Sequence, residues 1–185
     1  YVEWALGAER EHTRHQIHTR YDAQTGAVFA QNFYAPDFNT RVAFSWTSMA
    51  VDSYTARRLH FIGRNGDLSA PSGLRMERLS GATGAGWDPC AALRCSVRLE
   101  PGESRTLVVL LGAAASDEAA RTLIERHGAP AAAAASIESA VAAWNQRLSV
   151  ISVRTPEPEL DALFNRWSLY QAISCRMWAR SALYQ

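Results

Sequence analysis

Near residue 115 the hydrophobic pattern changes its repeat from two residues to about 3.6, so the chain must be sheet first and helix afterwards. Before the change, "VFAQNF" sets Val28, Ala30 and Asn32 against Phe29, Gln31 and Phe33, and "RVAFSWTS" puts Val42, Phe44 and Trp46 on one face. Leu93, Cys95, Val97 and Leu99 alternate with Arg94, Ser96 and Arg98; "EPGE" turns the chain, and Leu107, Val109 and Leu111 alternate back. Two period-two arms around a Pro-Gly turn predict a hairpin. Its second arm, "TLVVLLG", is apolar at every other position and between, which predicts a strand covered on both faces. "YVEWALG" reads as a further strand, and the glycine-rich "GRNGD" and "SGATGAGWDP" read as turns. Strands with such punctuation and no long intervening helix predict an all-β sandwich.

After the change, "SDEAARTLIERHG" supplies an N-cap in Ser116, acids in the first turn and Gly128 at the end. "APAAAAASIESAVAAWNQRL" follows, with Pro130 near its start and Ile137, Val141, Trp144 and Leu148 at helical spacing. An extended piece broken by Pro156 and Pro158 leads to a third helix with Leu160, Leu163, Phe164, Trp167, Tyr170 and Gln171 on one stripe. The segmentation is 1–115 sandwich, 116–150 helical linker and 151–185 the start of a second, helical domain. Both ends look like cuts, and the chain is read as a fragment.

Composition removes several functions. The net charge is +1, which leaves no electrostatic footprint for nucleic acid. All 19 cationic Lys-or-Arg positions are Arg, so neither a Walker-type phosphate loop nor Schiff-base catalysis can operate within this chain. Three cysteines are too few for a disulfide scaffold and point to a reducing compartment. No apolar run reaches the roughly 18–20 residues of a membrane span.

Candidate chemistry is sparse. His12, His15 and His18 lie three apart in what reads as a strand, where His15 faces away from the other two, and no fourth ligand accompanies them. Cys90, Cys95 and Cys175 do not have zinc spacing. "GATGAGWDPC" resembles an anion-binding glycine loop, but "PCAALRCSV" after it is another strand, so turn geometry is the better reading. Asp22, Asp37, Asp67 and Asp88 sit in turns with no partner marked by linear order. In the last helix Arg176, Trp178, Arg180, Tyr184 and Gln185 mix aromatic planes with hydrogen-bond donors, a combination suited to a sugar, against the alternative of a core stripe with surface arginines.

"LSGATGAGWDPCAAL" and "NRWSLYQAISCRMWARSALYQ", with "YVEWALG", "DAQTGAVFAQN", "RVAF" and "HFIGRNGDLSAP", resemble the glycoside hydrolase family 94 phosphorylases nearly end to end. Within them the likeness is greatest to the phosphorylase-like region of cyclic β-1,2-glucan synthases, formerly grouped as glycosyltransferase family 36. The resemblance implies a β-supersandwich, a helical linker and the first helix of a truncated (α/α)6 barrel. It implies that the residues past Gln185 carry an R-D-x-x-Q-D sugar-binding motif and, later, the general-acid aspartate, so this piece has no turnover. Arg180, Ser181, Tyr184 and Gln185 match the stretch leading into the sugar-binding loop, and Arg64 and Asn65 of "GRNG" are a second expected substrate contact. The implied partners are a β-glucan oligosaccharide, the rest of the barrel and a second copy in a homodimer. No cofactor is implied, and inorganic phosphate is the co-substrate. The implied setting is the cytoplasm, including the cytoplasmic region of an inner-membrane synthase. Against the enzyme-fragment reading stand a carbohydrate-binding module and a structural, dimerising sandwich.

Overall fold

The computed structural model describes residues 1–7, 9–35 and 38–178. It divides into two compact units, Tyr1–Ala133 and Ala134–Gln185.

In the first unit the strands are β1 (Val2–Glu3), β2 (Ile17–Asp22), β3 (Ala27–Asn32), β4 (Val42–Thr47), β5 (Ser53–Arg57), β6 (Pro89–Arg94) and β7 (Val109–Ala114). Short helices α1 (Arg10–Thr13) and α2 (Arg58–Ile62) interrupt them, and α3 (Asp117–His127) follows β7. One antiparallel sheet has the order β2-β3-β4-β7 and the other the order β1-β6-β5. The period-two alternation decides the layering. Val28, Ala30 and Ala43 join Trp4, Ile17, Ala56 and Ala91 in a core between the sheets. The opposite parity, Phe29, Val42 and Phe44, packs with Ala114 against Ala120 and Ile124 of α3. β3 is therefore the strand covered on both faces, and both its Val28 and its Phe29 are fully buried.

Three sequence expectations need correction here. The arms around Pro101 do not form a hairpin. β6 stops at Arg94 and has β5 and β1 on its two edges, while β7 pairs with β4, so the arms enter different sheets. The turn itself is real, with Glu103 N–H donating to Glu100 C=O at 2.9 Å and Gly102 at φ +83°. Residues 95–100, which would be the first arm of the hairpin, form no strand past Arg94, and the returning strand pairs with β4 instead. Nor is β7 covered on both faces. Its Leu110 packs on the α3 side, but Val109 and Leu111, on the other parity, are 62% and 64% exposed. The predicted opening strand is likewise shorter, with pairing confined to Val2 and Glu3.

α3 has the predicted N-cap: Ser116 Oγ accepts from Ala119 N–H at 3.1 Å, with Asp117 and Glu118 in the first turn. Gly128 ends it in right-handed geometry, so its glycine serves space rather than dihedral freedom; a Cβ there would sit 2.5 Å from the Trp46 ring.

The second unit contains most of α4 (Pro130–Leu148), then α5 (Pro158–Ala162) and α6 (Ser168–Gln171), the last two joined and extended by π-turns at Leu163–Trp167 and Ala172–Trp178. The extended link before α5 is held by Asn165, whose amide donates to Val153 C=O at 2.8 Å and accepts from Val153 N–H at 2.6 Å. Trp144 tilts against Tyr170 at 5.1 Å. The predicted stripe of the third helix is present but open, with Leu160, Phe164 and Trp167 all exposed.

Candidate functional site

The "GRNG" loop leaves α2 at Gly63, whose φ of +92° reverses the chain. Gly66 N–H returns to Gly63 C=O, and Asp67 then accepts from Ser69 N–H and Oγ and from Ala70 N–H at 2.6–3.3 Å. Those bonds hold the Asp67 carboxyl below its ordinary pKa. The loop backbone is thus fixed while Arg64 and Asn65 project outward, and neither side chain has a partner among the described residues. Arg180, Ser181, Tyr184 and Gln185 lie outside the described residues, as does Asp37.

The glycine loop after Ser80 settles the anion question through its amides. Gly81 N–H bonds Tyr54 C=O at 2.7 Å, Gly84 N–H bonds Thr19 Oγ1 at 3.1 Å and Gly86 N–H bonds His15 C=O at 3.2 Å. Positive φ at Gly81, Gly84 and Gly86 lets the chain make these approaches. Amides spent on the fold cannot also cradle a phosphate.

Sequence reading missed two features around this loop. Ser80 Oγ lies 2.9 Å from Thr55 Oγ1 and 2.8 Å from His60 Nδ1, a chain of bonds that fastens the loop to β5 and α2. Burial, helped by the Arg57 cation, lowers the His60 pKa and keeps the imidazole neutral. Arg57 in turn stacks over Trp87 at 4.9 Å. Beside it, Arg10 and Arg58 share Glu3 and Asp88 in a four-member ion network. No linear motif links residues 3, 10, 58 and 88, and only the pairing of β1 and β5 to β6 brings them together.

The histidines need a correction as well. His12 lies in α1, His15 in the 3-10 turn Arg14–Gln16 and His18 in β2, so they do not share a strand. Among the described residues no group of three His, Cys, Asp or Glu side chains can hold a metal ion. Cys90 is buried, which pushes its thiol up to about 12 and makes it a poor nucleophile. The carboxylates with resolved shifts, Glu3, Asp22, Asp67 and Glu103, all move down. A general acid needs the opposite shift, so these groups pair ions and cap turns. No helix of the described residues is long and apolar enough to cross a membrane.

A cavity of about 220 Å³ opens beside the β3–β4 loop, lined among others by Leu6, Ala35, Phe38, Arg41 and Ala43.

Residues 1–130 match the family model for the glycosyl hydrolase 94 supersandwich domain, and residues 143–185 match that for the catalytic domain of the glycosyl hydrolase 94 superfamily. The chain is similar to the cyclic beta-(1,2)-glucan synthase NdvB of Rhizobium meliloti (strain 1021), 35% identical over 186 residues covering 100% of the chain and 6% of the synthase. It is 29% identical to the N,N'-diacetylchitobiose phosphorylase of Vibrio furnissii, over 98% of the chain and 23% of that enzyme. The 3-O-beta-D-glucopyranosyl-beta-D-glucuronide phosphorylase of Paenibacillus borealis is 26% identical over 74% of the chain and 18% of its own length. The chain therefore spans less than a quarter of each of these relatives.

Proposed function

The chain belongs to glycosyl hydrolase family 94, and from that premise we propose that it is a non-catalytic part of a larger protein that sets the length of β-1,2-glucan by inverting phosphorolysis. The observation that carries this reading is the likeness to a glucan synthase along the whole chain, 35% against 29% for a chitobiose phosphorylase over nearly the same span. In the proposed organisation, 1–115 belongs to the supersandwich, 116–150 is a helical linker and 151–185 begins an (α/α)6 barrel. The open apolar stripe of Leu160, Phe164 and Trp167 supports it, since such a stripe seeks further helices.

In the proposed reaction an aspartic acid elsewhere in the larger protein protonates the glycosidic oxygen. Inorganic phosphate, the co-substrate, attacks the anomeric carbon from the opposite face. The carbon–oxygen bond to the leaving sugar breaks as the bond to phosphate forms, giving α-glucose 1-phosphate from a β-linkage. Phosphate is the nucleophile, so the second carboxylate of an inverting hydrolase is unnecessary. The downward shifts of the carboxylates described above fit a supporting role for this part. Arg180, Ser181, Tyr184 and Gln185 contact the sugar. Arg64 and Asn65, held outward and unpartnered, reach the site of a neighbouring copy in a homodimer. The setting is the cytoplasm, as the cytoplasmic region of an inner-membrane synthase.

The test is to incubate the protein extended through the barrel with linear β-1,2-gluco-oligosaccharide, with and without inorganic phosphate, and to assay glucose 1-phosphate. The 185-residue chain is the inactive control. Phosphate-dependent release is expected. A folded extended protein that releases sugar phosphate from neither this substrate nor cellobiose nor chitobiose refutes the reading.

A further inference from the structure

Two strand edges of the first unit stand open beside one another. β1 pairs with β6 only at Val2↔Ala91 and Glu3↔Cys90, so β6 has no neighbour on that side from Leu93 onward. Across the same edge Trp4 N–H donates to Pro89 C=O at 3.4 Å. Alternate residues of a strand turn their backbone groups to one side, so Leu93 directs its N–H and C=O the way Pro89 directs its carbonyl. β7 ends the other sheet. There Ser48 N–H donates to Val108 C=O at 2.9 Å, which sets the even-numbered residues of β7 toward β4 and turns the backbone groups of Val109, Leu111 and Ala113 to the open side. On these open sides no ladder partner lies among the described residues.

The two edges bound one space. Val2, Ala91, Leu93 and Cys95 on one side and Leu107 and Val109 on the other line a cavity of about 280 Å³. Val109 and Leu111 share the parity of Ala113, which is opposite Ala43 of the core between the sheets. They nevertheless stand in water, because the three-stranded sheet stops before it covers them. Free edges are ordinarily guarded by charge, proline or a bulge, and the regular "VLLGAA" of β7 carries none of these.

We propose that an extended segment of the larger protein, from outside these 185 residues, adds here as a further strand. It pairs with the free edge of β6 at Leu93 and lays alternate apolar side chains on Val109 and Leu111. Its sequence is apolar at every second position and polar between. The occupant is a strand of the same polypeptide, because a second copy paired through β7 would leave the Leu93 edge and the cavity unfilled. The polypeptide has ample length for it, since the chain covers only 6% and 23% of two relatives. The proposal rests on the reading of this chain as part of a larger protein.

The test compares the 185-residue chain with the larger protein by amide hydrogen exchange and by iodoacetamide labelling of Cys95. Val28 and Phe29, fully buried in β3, are the protected reference in both. In the folded chain the Leu93, Val109 and Leu111 amides should exchange freely. In the larger protein those of Leu93 and Leu111 should exchange at least about a hundredfold more slowly, and Cys95 should label at least about tenfold more slowly. The double variant Val109→Lys, Leu111→Lys should leave the melting temperature of the chain unchanged, because both side chains already lie in water. In the larger protein it should return Cys95 labelling to the rate seen in the chain. Exchange at Leu93 and Leu111 that is alike in both proteins overturns the proposal, as does a double variant of the larger protein that labels like its parent. So does protection that appears in the 185-residue chain as its concentration rises, because the occupant is then a second copy. Neither readout involves sugar or phosphate. A larger protein that protects the edge but releases no glucose 1-phosphate refutes the phosphorolysis alone, and one that releases it with the edge unprotected overturns this proposal alone.

Discussion

Replacing Asp22 by Asn asks how much of the sandwich depends on one ion pair. Asp22 ends β2 and is 8% exposed. Arg121 of α3 donates to its Oδ1 from Nη2 at 2.8 Å and from Nε at 3.2 Å, while Thr25 donates to Oδ2 through Oγ1 at 2.6 Å and N–H at 3.2 Å. The turn so made also receives the indole of Trp46, whose Nε1–H donates to Thr25 C=O at 2.8 Å. Asn preserves shape and one acceptor for Thr25 but removes the charge facing Arg121. Hydrogen bonds to a charged group contribute about 1.5–3 kcal/mol, and the partly exposed Arg121 places the loss near the lower half, about 2 kcal/mol. For a chain of this size that lowers Tm by roughly 4–8 °C. The pH dependence supplies the sharper check. Burial raises the Asp22 carboxyl, but the bonds from Arg121 and Thr25 outweigh it and hold the folded pKa below the ordinary value of 3.8. A depressed folded pKa gives stability that is fully present above the unfolded value and lost as pH falls from there through the folded one. The gap between parent and variant, read by calorimetry or urea unfolding, should be full at pH 7 and shrink below pH 3.8. In an Arg121→Gln background the Asp22→Asn change should cost less. Equal melting at neutral pH, or a gap undiminished at low pH, would show that the pair is not what fastens α3.

Three further outcomes follow from packing and burial. Gly112→Ala sets a Cβ 2.6 Å from the buried Phe44 ring and should cost about 1–3 kcal/mol in urea unfolding, with Gly128→Ala behaving similarly against Trp46. Ser116→Ala removes the α3 cap and should cost about 1 kcal/mol; unchanged stability would show that the cap bond is dispensable. Iodoacetamide at pH 8 should label exposed Cys175 and spare Cys90, whose thiol lies at about 12, until the chain is unfolded.

The elements of this fold were legible wherever one period ran alone. Val28 and Phe29 alternate across a strand buried on both sides, and Ser116 to Gly128 spells a helix with its cap. Pairing was less legible, because it depends on which ladder edges are free. A Pro-Gly turn between two alternating arms predicts a hairpin from local information, yet the first arm leaves the sheet at Arg94 and the second finds its ladder on β4. Burial on β7 failed for a related reason: apolar Val109 and Leu111 say what a strand prefers, not whether a second layer lies over it. Asp22 was readable as a turn former, but its ion pair spans 99 residues and has no local signal. The Ser80–His60 contact was hidden in the same way, since neither residue sits in a recognisable motif. The exposure of Phe33 was not legible because Phe33 fits the strand alternation, although the ladder ends at Asn32.

The glycine loop has a practical corollary for anyone who cuts or extends this molecule. Residues 81–86 are bonded to β5 through Gly81 and Ala82, to β2 through Gly84 and to the 3-10 turn through Gly86, so they stitch one sheet to the other. Inserting a reporter or opening new termini there would unpick both sheets at once. Pro101 and Gly102 stand in water on a turn whose bonds return to itself, and a circular permutant or an inserted tag at that point leaves every strand ladder intact.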